Sequence, residues 1–214
     1  GHIAIVLFTD NCNFNCKYCH NKRMLLTNYN NLNLHNLLDS LMQRRKFNDA
    51  VVICGGEPTL QKSLPLVVKI LKKLGYKVKL DTNGANIDML QLVIDDIDYI
   101  ALDIKTTPDK YYLLGANQTA MQNTFATLRW LQKLKSNTNI TYKFDFEIRT
   151  TVFPEIVNLD DLKKLKSLIN PAKYKWFLQT FKLSQDVMIF TDDFNVIKAQ
   201  QIQSEKIITD FLNK

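Results

Sequence analysis

Six short apolar segments recur along the chain, and each has the length of a buried strand. The first is rich in Ile, Val and Phe, and the later ones combine β-branched, aromatic and leucine side chains in a similar way. Runs of this length between polar or glycine-containing segments predict strands rather than helices. The predicted strands cover residues 3–8, 50–54, 77–80, 99–102, 144–152 and 176–181.

Segments with apolar residues at helical spacing separate these strands. Leu34, Leu37 and Leu41 recur three and four residues apart, and Asn33 just before them is a predicted N-cap. The further predicted helices are 63–74, closed by Gly75; one through Met89, Leu90 and Val93; one carrying Phe125, Leu128, Leu131 and Leu134; 159–169; and a C-terminal helix of about 194–212.

Strands that alternate with helices predict a parallel α/β architecture with right-handed crossovers. Six strand-helix units are too few for a complete eight-fold barrel. The pattern therefore fits either an open doubly wound sheet or an incomplete barrel. The length of 214 residues suits one domain. We expect a single domain over residues 1–214, with strand-helix units to about residue 181 and the C-terminal helix after them.

Three of the four cysteines lie in one loop directly after the first predicted strand. Cys12, Cys16 and Cys19 have the spacing C-x3-C-x2-C, which cannot satisfy disulfide geometry for three thiols but can surround a metal centre. The loop alone leaves three alternatives open. These are an iron-sulfur cluster with one open iron, a zinc site completed by His20, or the C-x-x-C-H pattern of covalent haem attachment. Cys54, inside the second strand, is expected to be a buried small apolar residue.

Polar and glycine residues follow one predicted strand after another. In parallel α/β folds, ligands bind at the carboxyl ends of the strands, so these residues should surround one cavity. Simpler explanations exist, because glycine and asparagine favour turns and neighbouring opposite charges form ion pairs. Charged groups at a buried strand end are nevertheless costly unless they serve a purpose. The set comprises Gly55, Gly56, Glu57, Asp81, Thr82, Asn83, Asp103, Lys105, Arg149 and Gln179.

The chain is basic, with 28 Lys and Arg against 21 Asp and Glu, for a net charge of +7. Few of these residues are arginines, which disfavours a nucleic-acid interface. The excess of positive charge is typical of lysines on solvent-exposed helix faces, and it would also favour docking of an acidic electron-carrier protein. No segment approaches the roughly 18 to 20 apolar residues of a membrane span, and the start lacks the pattern of a signal peptide. We therefore expect no membrane association and a cytoplasmic, reducing location.

The motifs together resemble those of the radical S-adenosylmethionine enzymes. The three-cysteine loop after the first strand and Gly55-Gly56-Glu57-Pro58 after the second carry this resemblance. Further segments are similar to the activating enzymes of glycyl radical enzymes, above all those of anaerobic ribonucleoside-triphosphate reductase. These segments are Tyr18-Cys19-His20-Asn21, Leu80-Asp81-Thr82-Asn83-Gly84, Ala101-Leu102-Asp103-Ile104-Lys105 and Glu147-Ile148-Arg149-Thr150-Thr151-Val152.

The resemblance implies an incomplete (β/α)6, TIM-like barrel with a [4Fe-4S] cluster on the three cysteines. It further implies that S-adenosylmethionine binds the fourth iron through its amino and carboxylate groups. By the same resemblance, Gly55, Gly56 and Glu57 hold the methionyl ammonium, and Asp103 and Lys105 lie by the methionyl end. Lys105 and the three cysteines form the implied catalytic set.

Other residues are assigned by the same resemblance. Tyr18 and His20 are placed near the adenine, and Asp81 and Thr82 near a monovalent cation beside the cofactor. One departure is Gln179, since pyruvate formate-lyase activating enzymes carry a histidine near the end of the sixth strand. The remaining residues of the implied cofactor-binding set are Thr82, Asn83, Arg149 and Gln179.

The implied activity is reductive cleavage of S-adenosylmethionine and generation of a glycyl radical on a partner enzyme. The expected partners are anaerobic ribonucleotide reductase and a low-potential electron donor such as flavodoxin or ferredoxin. Three alternatives remain. They are a pyruvate formate-lyase-type activating enzyme, a small-molecule enzyme such as 7-carboxy-7-deazaguanine synthase that binds a pterin, and a zinc-stabilised binding module.

Overall fold

The computed structural model describes residues 1–26, 33–137, 143–182 and 194–213. Its centre is a sheet of six parallel strands in the order β1-β2-β3-β4-β5-β6. All six predicted strands are confirmed. They are β1 (Ala4–Thr9), β2 (Ala50–Gly55), β3 (Lys77–Thr82), β4 (Tyr99–Asp103), β5 (Asp145–Val152) and β6 (Trp176–Thr180).

The helices lie between successive strands, as predicted, and a last helix follows β6. Three short 3-10 turns, Pro58–Leu60, Ile94–Asp96 and Pro108–Leu114, complete the connections. The helices are α1 (Lys22–Leu26), α2 (Leu34–Arg44), α3 (Leu64–Lys73), α4 (Ile87–Val93), α5 (Gln118–Ser136), α6 (Leu159–Ile169) and α7 (Phe194–Leu212). Within these described elements, none is long and apolar enough to cross a lipid bilayer.

Local signals account for several helix ends. Asn33 caps α2 as predicted, because its side chain accepts a hydrogen bond from the backbone N–H of His35. Gly75 follows α3 with a φ of +84°, the left-handed conformation that glycine adopts at little cost. Asn158 and Asp161 form a reciprocal capping box at the start of α6.

The strand order decides between the two predicted architectures. A doubly wound sheet reverses its strand order at a switch point, whereas these strands follow one another in sequence. Within the described residues, β1 pairs only with β2 and β6 only with β5, so the sheet does not close. The incomplete barrel is therefore confirmed, with a lateral opening between β1 and β6.

The two faces of the sheet differ in character. Val78, Leu80, Ile100, Leu102 and Ile148 are each fully buried in the apolar core. The alternate positions form the inner face of the barrel and carry mostly polar or charged side chains in the middle strands. Because paired residues in adjacent strands share a face, the strand pairing brings these inner polar residues into neighbouring rows.

The first four strands each end one or two residues later than predicted, and the extensions of β3 and β4 bear on the site. β3 continues through Asp81 and Thr82, which pair with Ala101 and Leu102, and β4 continues to Asp103, which pairs with Arg149. The apolar pattern in the sequence ends before these polar residues, but the pairing of the strands through their backbones continues past them. Their side chains are therefore held by the sheet rather than by a loop.

Candidate active site

A cavity of about 280 Å³ lies where the carboxyl ends of the strands meet the cysteine loop. Every residue that the sequence analysis assigned to the site lines this cavity. The structure thus brings together Cys12, Cys16, Cys19, Tyr18, His20, Gly55, Gly56, Glu57, Asp81, Thr82, Asn83, Asp103, Lys105, Arg149 and Gln179.

The cysteine loop presents its three thiols to this cavity. Cys16 is buried, whereas Cys12 and Cys19 are half-buried, and none of them forms a disulfide. The backbone N–H of Phe14 donates to the Cys12 sulfur at 3.4 Å, and the Phe14 ring packs edge-on against Tyr111. Burial raises the pKa of Cys16 to about 11 and also raises the pKa of Cys12. A bound cation would be needed to hold these groups as thiolates at neutral pH.

The two glycines bring the start of the cysteine loop against the end of β2. Gly55 has a φ of +113°, and a Cβ atom on Gly56 would lie 1.9 Å from the carbonyl oxygen of Asn11. The same Asn11 oxygen accepts a hydrogen bond of 2.8 Å from the backbone N–H of Glu57. The glycines therefore allow close approach of the chain's own backbone, which fixes the loop relative to the sheet.

Glu57 lines the cavity and joins the turn after β2 to the end of β3. Its Oε1 atom accepts hydrogen bonds from both the backbone N–H and the hydroxyl of Thr59 and from the hydroxyl of Thr82, and Oε2 accepts one from the backbone N–H of Asn83. The side chain is 1% exposed, and burial raises its pKa. Glu57 also caps the turn Pro58–Leu60, so the simpler interpretation of a helical start is correct as well.

Six charged side chains form a continuous chain of ion pairs across β3, β4 and β5. Lys79 contacts Glu147 at 3.8 Å and Asp81 at 2.9 Å. Arg149 contacts Asp81 and Asp103 at 2.9 Å each. Lys105 closes the chain by donating to Asp103 at 3.0 Å. The predicted ion pair between Asp103 and Lys105 is therefore present, and it is one link of a longer array.

The ion pairs outweigh burial in setting the charge of this array. Burial alone would raise the pKa of Asp103, but Lys105 and Arg149 lower it below its usual value. Burial would likewise lower the pKa of Lys105, yet Asp103 and the neighbouring Tyr18 and Cys16 raise it well above its usual value. Asp103 and Lys105 are thus both charged at neutral pH, and the Lys105 ammonium is available to a ligand carboxylate.

Tyr18 and His20 differ in whether their polar atoms already have hydrogen-bond partners. The Tyr18 hydroxyl is buried and has no hydrogen-bond partner among the described residues, while its ring packs on Phe153. A buried hydroxyl without a partner requires an explanation, and a ligand in the cavity would supply the missing partner. The exposed His20 ring instead makes a 3.0 Å hydrogen bond to the backbone carbonyl of Lys182. This contact occupies Nε2 and does not support His20 as a fourth ligand of a zinc ion.

Cys54 was predicted to be part of the core, and this prediction is wrong. It is half-buried and lines the cavity from the inner face of β2. Val51 and Ile53 are buried in the core, so alternation along the strand places Cys54 on the opposite face. Side chains alternate between the two faces of a strand, so the positions of Val51 and Ile53 in the sequence could have identified the orientation of Cys54.

Sequence reasoning also missed contacts that hold the cysteine loop in place. The Asn83 side chain donates to the side-chain oxygen of Asn13 at 2.7 Å, and the Asn21 side chain donates to the carbonyl of Gly55 at 2.8 Å. No local pattern distinguishes such long-range contacts from ordinary loop asparagines. The cavity-lining residues that were not assigned to the site are Phe14, Asn21, Lys22, Leu25, Cys54 and Thr151.

The residues present fit a [4Fe-4S] cluster with one open iron. Three thiols on one loop supply the usual ligands of such a cluster and leave the fourth iron to another molecule. The same cavity offers the Lys105 ammonium for a carboxylate and the Tyr18 hydroxyl for a hydrogen-bonding group. Together, the fold and the site define an enzyme that binds an iron-sulfur cluster and a ligand with both charged and polar groups.

Comparison with known proteins identifies the family. The model of the radical SAM superfamily matches residues 6–169, so the chain belongs to this superfamily. Members use a [4Fe-4S] cluster and S-adenosylmethionine, which confirms the cofactors implied by the cysteine loop. The resemblance to enzymes that activate glycyl radical enzymes is confirmed as well.

Curated relatives cover most of the chain. Two proteins of Methanocaldococcus jannaschii that carry the name glycyl-radical enzyme activating enzyme are similar to it. One is 30% identical over 78% of this chain and 68% of its own length, and the other 29% identical over 95% and 74%. A 7-carboxy-7-deazaguanine synthase of Haemophilus influenzae is 26% identical over 80% of this chain and 79% of its own length.

Solved structures support the fold. The chain is similar to SuiB of Streptococcus suis, crystallised with S-adenosylmethionine, with a TM-score of 0.68 and 14% identity. This likeness covers 99% of the chain and 48% of SuiB, so the chain spans about half the length of that protein. At this identity the comparison supports the incomplete barrel, and it carries no conclusion about the substrate.

Proposed function

We propose that this protein activates a glycyl radical enzyme, and that its partner is anaerobic ribonucleoside-triphosphate reductase. The single observation that carries the proposal is the shared cavity, which joins three cysteine thiols to the Lys105 and Tyr18 groups at the open end of the barrel. The names of the curated relatives support activation of a glycyl radical enzyme. The motifs of the sequence analysis favour the reductase as the particular partner.

Each wall of the cavity is assigned a part of the cofactors. Cys12, Cys16 and Cys19 hold the [4Fe-4S] cluster. Lys105, oriented by Asp103, binds the methionyl carboxylate of S-adenosylmethionine through a charge-assisted hydrogen bond. When bound and reduced by the electron donor, the cluster would supply the single electron that splits S-adenosylmethionine into methionine and a 5′-deoxyadenosyl radical. Transfer of a hydrogen atom from the glycine Cα of the partner to that radical would give 5′-deoxyadenosine and the glycyl radical.

Other residues of the cavity are assigned to the methionyl ammonium and the nucleoside of S-adenosylmethionine. The Gly55-Gly56 turn and Glu57 lie at the methionyl ammonium, where Glu57 Oε2 accepts only one hydrogen bond from the described residues. The Tyr18 hydroxyl completes its hydrogen bonding on the adenosine side, with His20 at the rim. Thr82, Asn83 and Gln179 serve as surrounding contacts. These roles are catalysis by positioning, since each group fixes one end of the cofactor.

The lateral opening suits a substrate that is part of a protein. Val6 and Phe8 on β1 are 47% and 56% exposed, and Phe177 on β6 is 50% exposed. By the strand pairing, Phe8 shares the inner face with Cys54, and Phe177 shares it with Arg149. Apolar side chains thus flank the opening on both sides and can receive a glycine-bearing loop of the partner.

The remaining partners follow from charge and chemistry. The net charge of +7 suits an acidic electron donor, for which flavodoxin or ferredoxin is our proposal. We place the protein in the cytoplasm, as one domain over residues 1–214. A pyruvate formate-lyase-type partner is the main alternative, and Gln179 argues against it because those activating enzymes carry a histidine in this region.

Paramagnetic resonance tests the proposal directly. The reconstituted protein is reduced anaerobically with S-adenosylmethionine and the candidate reductase, and the expected result is a glycyl radical signal. The matched control carries Gly→Ala at the radical site of the reductase and gives no signal. Formation of a radical on pyruvate formate-lyase alone would transfer the assignment to that partner.

A second candidate function is synthesis of 7-carboxy-7-deazaguanine, favoured by the similarity to the Haemophilus influenzae enzyme. It predicts turnover of a pterin substrate without any partner protein. Turnover of the pterin with no radical on either candidate partner would replace the activating function.

A further inference from the structure

Arg149 bridges two carboxylates that belong to different strands. Its Nη1 atom contacts Asp81 Oδ2 at 2.9 Å, and its Nε atom contacts Asp103 Oδ1 at 2.9 Å. The three side chains are 17%, 18% and 27% exposed, so water screens them only in part. Two carboxylates at this depth would repel each other without a cation between them.

The remaining oxygen of each carboxylate faces a lysine, but the two contacts differ. Lys105 donates a hydrogen bond of 3.0 Å to Asp103 Oδ2. The Lys79 ammonium lies 2.9 Å from Asp81 Oδ1 without hydrogen-bond geometry, so this buried oxygen has an ionic contact and no hydrogen-bond partner among the described residues. The hydroxyl of Thr82 donates to Glu57 at 2.6 Å. A monovalent cation binds through oxygen ligands, and at Asp81 those oxygens already face cationic side chains. The predicted cation at Asp81 and Thr82 therefore does not fit the residues as they are arranged.

We propose that Arg149 is the built-in counter-ion of Asp81 and Asp103, and that through Asp103 it positions Lys105 for the methionyl carboxylate. S-adenosylmethionine then binds without an added monovalent cation. Arg149 is on this view a positioning residue that acts through Asp103. The inference rests on the assignment of the cavity to S-adenosylmethionine made above, and it is independent of which protein is the partner.

The shape of the guanidinium explains why arginine occupies this position. Its planar fork presents separate N–H groups to two acceptors at once, whereas a lysine ammonium is a single point charge. Loss of the guanidinium would leave Asp81 with Lys79 and Asp103 with Lys105, and the two carboxylates would face each other across an empty space. A small cation could then enter between them.

The first test uses the unaltered protein with its cluster reconstituted. The dissociation constant for S-adenosylmethionine is measured by anaerobic calorimetry in potassium, sodium or choline chloride at the same ionic strength. The proposal expects the three values to agree within about twofold. An affinity that is roughly tenfold higher or more in potassium or sodium would overturn it.

The second test uses Arg149→Met, which keeps the length of the side chain and removes its charge. It is expected to bind S-adenosylmethionine roughly tenfold or more weakly in choline chloride, with recovery in potassium or sodium chloride. Arg45→Met is the matched control, because Arg45 donates to the carbonyls of Leu74 and Gly75 and does not line the cavity. It is expected to lower thermal stability at most, with no cation-dependent binding.

Two outcomes of the second test would contradict the proposal. Arg149→Met with unaltered affinity in choline chloride would show that no counter-ion is needed, and a loss that no cation restores would assign Arg149 another role. The double variant Asp81→Asn, Arg149→Met removes one charge of each sign and should lose the cation response. Neither test measures a glycyl radical. A negative result for Arg149 therefore does not contradict the proposed activating function. Likewise, absence of a glycyl radical on the candidate partner would not affect these binding measurements.

Discussion

The carbonyl oxygen of Asn11 lies 1.9 Å from the position that a Cβ atom on Gly56 would occupy. Asn11 itself has a φ of +58°, a conformation that asparagine tolerates better than most residues. The backbone at the start of the cysteine loop is thus pressed against the end of β2. This contact relates the sulfur ligands to the strand ends that form the rest of the cavity.

Gly56→Ala is therefore expected to displace the cysteine loop and to reduce the iron content after reconstitution. Gly75→Ala is the matched control. It places a side chain at a positive φ, a cost of about 1 to 2 kcal/mol that Gly56→Ala does not carry, and its Cβ atom would meet only the flexible Arg45 side chain. Iron analysis and thermal unfolding distinguish the two. Equal iron content in both variants would contradict this account of Gly56.

We expect three of the four cysteines to bind the cluster and Cys54 not to bind it. Cys16→Ser is expected to abolish stable cluster binding, whereas Cys54→Ser is expected to retain about four irons per chain. Cys54 lines the same cavity, which makes it a demanding control for general damage to the site. Iron and sulfide analysis after anaerobic reconstitution gives the answer. Loss of iron in Cys54→Ser would make Cys54 a fourth ligand and leave no open iron.

Glu57→Gln replaces an oxygen by an NH2 group where the surrounding Thr59, Thr82 and Asn83 groups all donate. At least one donor then faces another donor, and we expect the free energy of unfolding to fall by about 1 to 3 kcal/mol. Glu147→Gln is the control, because the Tyr99 hydroxyl can still donate to the remaining oxygen and, among the described residues, the only ion pair it removes is the 3.8 Å contact with Lys79. Chemical denaturation of both variants tests the prediction. Equal stability would show that the Glu57 hydrogen bonds are replaceable.

Asp98 provides a test of pH dependence away from the cavity. Burial would raise the pKa of Asp98, but Lys72, the backbone N–H of Val78 and Lys77 lower it below its usual value of 3.8. An acid with a lowered pKa stabilises the fold above its unfolded-state pKa, and this stabilisation is lost as the pH falls through the folded-state value. Asp98→Asn should thus lower the free energy of unfolding by about 1 to 3 kcal/mol at pH 7.

The same difference should shrink as the pH falls below about 4, where Asp98 of the unfolded state takes up a proton first, and it should be lost once the pH has passed the lower pKa of the folded state. Asp160→Asn is the control, because its contact with Lys163 involves side chains that are 77% and 54% exposed. Exposed pairs contribute little, so this variant should differ only slightly at any pH. A deficit of Asp98→Asn that stays constant across this range would exclude a charge-based cause.

The sequence was sufficient for the six strands, most helix limits and the membership of the site. Apolar periodicity specifies the elements, and parallel strands necessarily bring their carboxyl ends together. The extension of β3 through Asp81 and Thr82 was missed because pairing of the backbone does not require apolar side chains. The orientation of Cys54 was missed because its small apolar character was given more weight than the alternation along β2.

Contacts between distant segments could not be predicted in the same way. The bridge from Arg149 to Asp81 and Asp103 depends on the register of three strands, and the sequence gives residue types without that register. The partners of Glu57 likewise come from Thr82 and Asn83 on the next strand. Only the folded chain shows that Glu57 already accepts four hydrogen bonds from its own protein.

The central claim is that three cysteines hold a cluster whose open iron faces the cavity formed by the strand ends. Paramagnetic resonance of the reduced, reconstituted protein with and without S-adenosylmethionine tests it most directly. The account predicts the signal of a reduced [4Fe-4S] cluster that changes shape when S-adenosylmethionine is added, and no such signal in Cys16→Ser. A cluster signal that S-adenosylmethionine leaves unchanged, or a protein that binds zinc in place of iron, would contradict it.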